Sequence, residues 1–193
     1  MRKLIVCNII SLDGFYSGPG GNVMVLPFDA GFSDYNAERL RAADTLLLGR
    51  TSYEGFRSYW PGVAEDMSQP AVEREISRLN AAIEKVVISN RLKPDELEGW
   101  GPTRVVHRAN AHAEVAALKR RPGRDILVFG SHILWNDLLA AGLVDELHLM
   151  IGPGVVGEGV RAFEVRPPGS LRLLDTRTFD GSSLFLVRYA VER

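Results

Sequence analysis

Asp125-Ile126-Leu127-Val128-Phe129-Gly130-Ser131-His132-Ile133-Leu134-Trp135-Asn136-Asp137-Leu138-Leu139 is the stretch whose reading decides the fold. Ile126 to Phe129 are four consecutive apolar residues, with the length and branching of a strand buried on both faces. Gly130 breaks the run, and Ser131 is placed to cap a helix whose apolar positions Ile133, Leu134, Leu138 and Leu139 recur at helical spacing. A buried strand, a glycine and a helix start leave free backbone N–H groups and a positive dipole end at the strand's carboxyl edge. In open α/β sheets that edge is where phosphate groups bind.

The same grammar recurs upstream. Asp44-Thr45-Leu46-Leu47-Leu48-Gly49-Arg50-Thr51-Ser52-Tyr53 reads as a short apolar strand, a glycine and a helix capped by Thr51 or Ser52. Arg50 adds a fixed charge of the kind that pairs with phosphate oxygens. Glu84 to Ser89 is a further strand, ending in Ser89-Asn90-Arg91. With these strands parallel, three polar corners and two arginines share one rim of a sheet, which suits an extended, doubly anchored anion such as a dinucleotide with an extra phosphate. The glycine spacing is not Gly-x-Gly-x-x-Gly, so the usual dinucleotide-binding domain is disfavoured.

Outward from these corners, Leu4 to Leu12 reads as a central strand, and Asp13 to about Gly31 as a long glycine-rich loop. Ser33 to Ala43 is expected to be helical with Ser33 as its cap, and Tyr59-Trp60-Pro61-Gly62 to end the helix that starts after Gly49. Gln69 to Ala82 and Ala111 to Lys119 are amphipathic helices, and Thr103 to Val106 is a strand. Gly142 to Ile151 is a turn and strand, followed by the glycine-rich loop Gly152 to Gly159. Leu171 to Phe179 and Ser183 to Val191 form an antiparallel pair turning at Asp180-Gly181. Alternating strands and helices closed by a hairpin give an α/β fold, a mostly parallel sheet with an antiparallel edge.

At 193 residues the chain fits a single domain spanning 1–193, large enough to bury a core without metal or disulfides. A net charge of −1 gives no reason to expect nucleic acid or an anionic membrane as partner. No apolar stretch reaches the roughly 18 residues of a membrane span, and no signal-peptide pattern follows Met1, so a cytoplasmic protein is expected. Cys7, the one cysteine, sits in an apolar run and is expected to be a buried thiol. His112-Ala113-Glu114 resembles half of a zinc deaminase signature without the thiol half, so no metal is expected. Asp145-Glu146 is expected to face solvent or form salt bridges rather than do acid–base work.

Ile10-Ser11-Leu12-Asp13-Gly14-Phe15, Leu48-Gly49-Arg50-Thr51-Ser52-Tyr53-Glu54, Ser89-Asn90, Phe129-Gly130-Ser131, Gly142-Leu143-Val144-Asp145-Glu146-Leu147 and Pro153-Gly154-Val155-Val156-Gly157-Glu158-Gly159 occur in this order. Together they resemble the dihydrofolate-reductase-like superfamily, in particular the C-terminal reductase domain of the bifunctional riboflavin-biosynthesis protein and its stand-alone bacterial relatives. The resemblance covers nearly the whole chain. It implies an eight-stranded mixed sheet flanked by helices, NADPH as hydride donor, a small heterocyclic substrate of pteridine or aminopyrimidine type, and a homodimer.

Carried over position by position, the resemblance implies that Gly49, Arg50, Thr51 and Ser52 hold cofactor phosphates. Ser89, Asn90 and Arg91 lie near the adenosine 2′-phosphate, and Gly130, Ser131 and the helix start at His132 take the pyrophosphate. Asp13, Gly14 and Phe15 sit beside the nicotinamide and substrate, with Gly157, Glu158 and Gly159 on the far side of that pocket. Asp13 is the first candidate for positioning the substrate or its proton-bearing water, and Asp34, on the first helix, the second. Where riboflavin-pathway members carry Gly-Lys-x-x-Phe, this chain has Gly159-Val160-Arg161-Ala162-Phe163, leaving Arg161 as the substitute cation. Two alternatives stand beside the reductase: a non-catalytic dimeric module that binds a nucleotide or small ligand, and a flavin-binding reductase.

Overall fold

The computed structural model describes residues 1–93, 97 and 99–192. Its centre is an eight-stranded mixed sheet, and the apolar runs of the sequence are its innermost strands. In chain order these are β1 (Leu4–Ile10), β3 (Ala43–Gly49), β4 (Glu84–Ile88), β5 (Thr103–Val106), β6 (Asp125–Phe129), β7 (Glu146–Ile151), β9 (Leu171–Thr178) and β10 (Phe185–Val191). Across the sheet they run β5-β4-β3-β6-β1-β7-β10-β9. The pairs from β5 to β7 are parallel, and β10 is antiparallel to both β7 and β9. β2 (Phe15–Ser17) and β8 (Val160–Arg161) form a separate two-stranded antiparallel ribbon. β2 falls in a segment that reads as a loop and β8 just past the second glycine loop, where no element is expected, because two or three residues carry no periodicity.

Strand alternation sorts the core into two layers. Ile5, Cys7, Ile9, Leu46, Leu48 and Phe129 pack with Tyr35, Leu40, Tyr53 and Ile76. These last come from α1 (Ala30–Ala42), α2 (Arg50–Val63) and α3 (Ala71–Ala82). Leu4, Val6, Leu47, Ile126 and Val128 pack on the other face with Val115, Leu118, Trp135 and Leu138, which belong to α4 (Ala111–Arg120) and α5 (His132–Ala140). Neighbouring β3 and β6 therefore send their following helices, α2 and α5, to opposite faces. That divergence opens a crevice at their carboxyl ends, the switch point where open α/β sheets bind ligands.

Several local expectations are corrected. α1 begins earlier than Ser33, capped by Asp29, which accepts from the Phe32 N–H at 3.2 Å. Ser33 instead donates to Glu73 on α3. α2 does not stop before Pro61 but runs through it to Val63. The Trp60 carbonyl beside it accepts from the Ser77 hydroxyl of α3 at 2.6 Å, so packing on α3 holds the turn. β1 ends at Ile10, and Leu12 is exposed. Cys7 is buried as expected, and burial pushes its thiol up to about 12. Among the described residues no helix is long and apolar enough to cross a membrane.

Candidate active site

The carboxyl ends of β3, β4, β5 and β6 border one groove of about 700 Å³. Gly49, Arg50, Thr51, Ser52, Ser89, Asn90, Arg91, Ser131 and His132 all line it. The three corners written alike in the sequence thus meet in space.

The corners are tied together by their hydroxyls, which do not cap their own helices as expected. Gly49 is the cap residue of α2 and Ser131 that of α5, neither with a side-chain cap bond. The Gly49 N–H donates to Ser131 Oγ at 2.9 Å, and the Ser131 N–H donates to Ser52 Oγ at 2.8 Å. Each helix start therefore borrows its cap from the other. This fixes the two N-termini side by side while the next N–H groups, at Arg50 to Ser52 and at His132 to Leu134, have no partner within their helices. Two dipole ends and two rows of donors on one groove favour an anion spanning both.

Gly130 completes the junction. Its N–H donates to Asn8 Oδ1 at 2.7 Å, and its φ of 57° suits glycine. A Cβ there would come 3.0 Å from Ser52 Oγ and 3.3 Å from the Tyr16 hydroxyl. Ser131 shares the left-handed conformation at φ 54°, a strained backbone for a non-glycine residue that lines the groove.

The positive end is larger than the sequence reading foresaw. Ser89 Oγ accepts from the Arg91 and Leu92 N–H groups, both at 3.0 Å, shaping the turn that carries Arg91. Asn90 Oδ1 accepts from the Arg108 N–H at 2.8 Å, bringing Arg108 from the end of β5 onto the groove. Arg108 repeats the cation-after-strand pattern, which is the signal that could have found it. Arg50 is less available, because Nη1 lies 2.8 Å from both oxygens of Glu54 on its own helix. Tyr16, Ser17, Ile133, Asp137 and Val160 also line the groove and were not singled out. Asp137 is hydrogen-bonded to His112 Nε2 at 2.8 Å, and Glu114 to Arg104 at 2.6 Å, so the deaminase-like triplet is part of the surface pairing.

The residues expected around a substrate gather beside the groove, in the β2–β8 flap. Asp13 accepts from Ser11 Oγ at 2.6 Å and from the N–H groups of Val156 and Gly157 at 3.0 and 2.8 Å. These bonds, led by the Ser11 hydroxyl, hold its carboxyl down at about 2. Asp13 is thus an ionised clamp on the second glycine loop. Gly14 accepts from the Ala162 N–H at 2.9 Å, and Phe15 is buried beneath the Arg161 guanidinium, 4.8 Å from its ring centre. Arg161 is engaged in the flap through that stacking. Gly159 lies against β2, where a Cβ would meet the Ser17 carbonyl at 2.2 Å. Glu158 is exposed on the same loop. None of Asp13, Gly14, Phe15, Gly157, Glu158 and Gly159 lines the groove, and Asp34 is exposed on α1 outside its lining.

A family model described as the RibD C-terminal domain matches residues 2–185. The uncharacterized protein YyaP of Bacillus subtilis (strain 168) is 32% identical over 189 residues, covering 96% of this chain and 94% of the relative. Among solved structures, a pyrimidine reductase-like protein of Corynebacterium diphtheriae superposes with a TM-score of 0.65 at 17% identity, over 100% of this chain and 92% of the other. A dihydrofolate reductase of Enterococcus faecalis complexed with NADP(H) gives 0.59 at 15% identity, over 97% and 94%. At those identities the structural likenesses establish the fold, a dihydrofolate-reductase-like sheet.

Proposed function

Because the chain belongs to the RibD C-terminal domain family, we propose that it is an NADPH-dependent reductase of a small heterocycle, of pteridine or aminopyrimidine type. The observation that carries this reading is the cross-tied pair of helix starts facing one groove with Arg91 and Arg108 at its far end. Three features of the groove support this cofactor: donors for a diphosphate, a separate cationic end for a further phosphate, and a buried hydroxyl, Ser17 Oγ, without a partner. When bound, the cofactor supplies the hydride.

In this reading the N-termini of α2 and α5 hold the diphosphate, Gly130 lets it approach the backbone, and Arg91 and Arg108 hold the 2′-phosphate. The flap carries Gly14, Phe15, Gly157, Glu158 and Gly159 to the substrate side and excludes water there. Asp13 positions that flap by binding two N–H groups of the second glycine loop. It does not release a proton near neutrality, because its carboxyl is already ionised.

Titration calorimetry with NADPH tests the proposal, with saturable micromolar binding expected; absence of binding up to high micromolar concentration rejects it. A second reading, a nucleotide-binding module without turnover, is favoured by one observation. Among the described lining residues Asp137 is the only carboxylate, and it is paired with His112. NADPH oxidation assayed against a panel of pterins and aminopyrimidines separates the two, since binding without turnover supports the module.

A further inference from the structure

Two hydroxyls of the flap take no part in holding it together. Ser17 is 1% exposed and lines the groove, and its Oγ has no hydrogen-bond partner. Next to it, the Tyr16 ring lies against the imidazole of His132, with centroids 4.8 Å apart and planes at 32°. His132 is itself immobilised, because Nε2 lies 2.8 and 3.1 Å from the carbonyls of Arg161 and Ala162. Both partners are acceptors, so Nε2 carries the hydrogen. The stack thereby joins both strands of the flap to the first residue of α5.

That arrangement aims the Tyr16 hydroxyl at the Gly130–Ser52 junction. Among the described residues the oxygen has no hydrogen-bond partner, and unlike Ser17 Oγ it is not sealed from solvent. Burial pushes the phenol up to about 12, so it remains an O–H donor throughout the neutral range. One sealed donor without a partner and one phenol open to the groove, beside two helix starts that attract an anion, form an incomplete coordination shell.

The order of strands assigns the place of these donors along an extended ligand. From β5 to β1 the carboxyl edge presents Arg108, then Ser89 to Arg91, then Gly49 to Ser52, then Gly130 to His132, and last the flap that follows β1. A dinucleotide with its 2′-phosphate at the arginines lays its diphosphate across β3 and β6. Its nicotinamide half then reaches the flap.

We infer that Tyr16 and Ser17 are positioning residues for the nicotinamide half, their hydroxyls donating to the nicotinamide-side phosphate and so fixing where the nicotinamide ring lies. This inference rests on the nucleotide reading above. It gives the flap a direct ligand contact in addition to its role as a wall.

Calorimetry on the wild type, Tyr16→Phe and Ser17→Ala, each titrated with NADPH and with adenosine 2′,5′-bisphosphate, tests it. The bisphosphate fills the arginine end and one phosphate position but lacks the nicotinamide half. Loss of a hydrogen bond to a charged phosphate is expected to weaken NADPH about tenfold in Tyr16→Phe and roughly threefold in Ser17→Ala. Affinity for the bisphosphate and the melting temperature are expected to stay unchanged in both. Unchanged NADPH affinity in both variants overturns the inference and leaves the nucleotide reading intact, as does an equal loss for the two ligands, which marks a merely structural role. A wild type that binds neither ligand overturns both. Ser17→Ala removes an oxygen without partners, so it carries the test even where Tyr16→Phe disturbs the flap.

Discussion

The groove at the carboxyl edge and the polar chain beneath α1 are built from similar residues and reach opposite states. Beneath α1, the Tyr35 hydroxyl lies 2.8 Å from His148 Nδ1, and His148 Nε2 lies 2.8 Å from Glu146 Oε2. Lys3 Nζ reaches the other Glu146 oxygen at 2.6 Å. Burial lowers the His148 pKa, so near neutrality the ring is uncharged, donating from Nε2 to the carboxylate and accepting a hydrogen bond from the Tyr35 hydroxyl at Nδ1. The His148 hydrogen bond leads the causes that hold the Glu146 carboxyl down at about 2. Each side chain in this chain of bonds has its partner in the protein. In the groove, by contrast, Ser17, Tyr16 and two helix starts retain donors without partners among the described residues. Satisfied polar groups stabilise a fold, whereas aligned unsatisfied ones await a ligand.

The largest expected effect breaks the satisfied region. Tyr35→Phe leaves His148 Nδ1 without a donor in a dry interior and should destabilise the fold by about 1–3 kcal/mol in urea unfolding. NADPH affinity should not change, and a change would show that the two regions are coupled. Next, Arg108→Ala should weaken NADPH roughly five- to tenfold in calorimetry with little change in melting temperature, since its charge serves the ligand. Arg50→Ala should cost less, because Glu54 already pairs with that guanidinium. Equal losses would mean that Arg50 turns from Glu54 to the ligand.

The smallest effect sharpens the contrast through pH. His148 stays neutral in the folded chain below its ordinary value of 6.5, so the unfolded chain takes up the proton first. Stability should therefore begin to fall as pH drops below about 6.5. Glu146 has its ordinary carboxylate value of 4.5 when unfolded and about 2 when folded, so its contribution is present above 4.5 and lost as pH falls towards 2. Unfolding free energies measured at about pH 7, 5.5, 4 and 3 check both windows, which the unfolded values set. In His148→Gln the first decline should disappear; its persistence would assign the loss to another group.

The strands of the sheet were legible because short runs such as Leu4 to Ile10, apolar but for Asn8, and Ile126 to Phe129 have few folded solutions other than a strand with both faces covered. The shared grammar of Gly49, Ser89 and Gly130 likewise pointed to three corners on one rim, given parallel strands. The flap was not legible. Its pairing depends on Gly159 abutting the Ser17 carbonyl and on Asp13 reaching Gly157, contacts between segments more than 140 residues apart that leave no periodic trace. The two carboxylates singled out for chemistry illustrate the same limit, since residue type and position could not show that Asp13 would be taken up by backbone donors or that Asp34 would face solvent.

By itself, then, the sequence determined which segments become strands and helices and which corners carry donors and charge, because those properties follow from local hydrophobic pattern and side-chain type. The tertiary structure alone decided which hydroxyl meets which N–H. Ser131 and Ser52 could each have capped their own helix, and only the side-by-side placement of β3 and β6 made the exchange between them available. The same placement decided which donors were satisfied within the protein and which were left facing the groove.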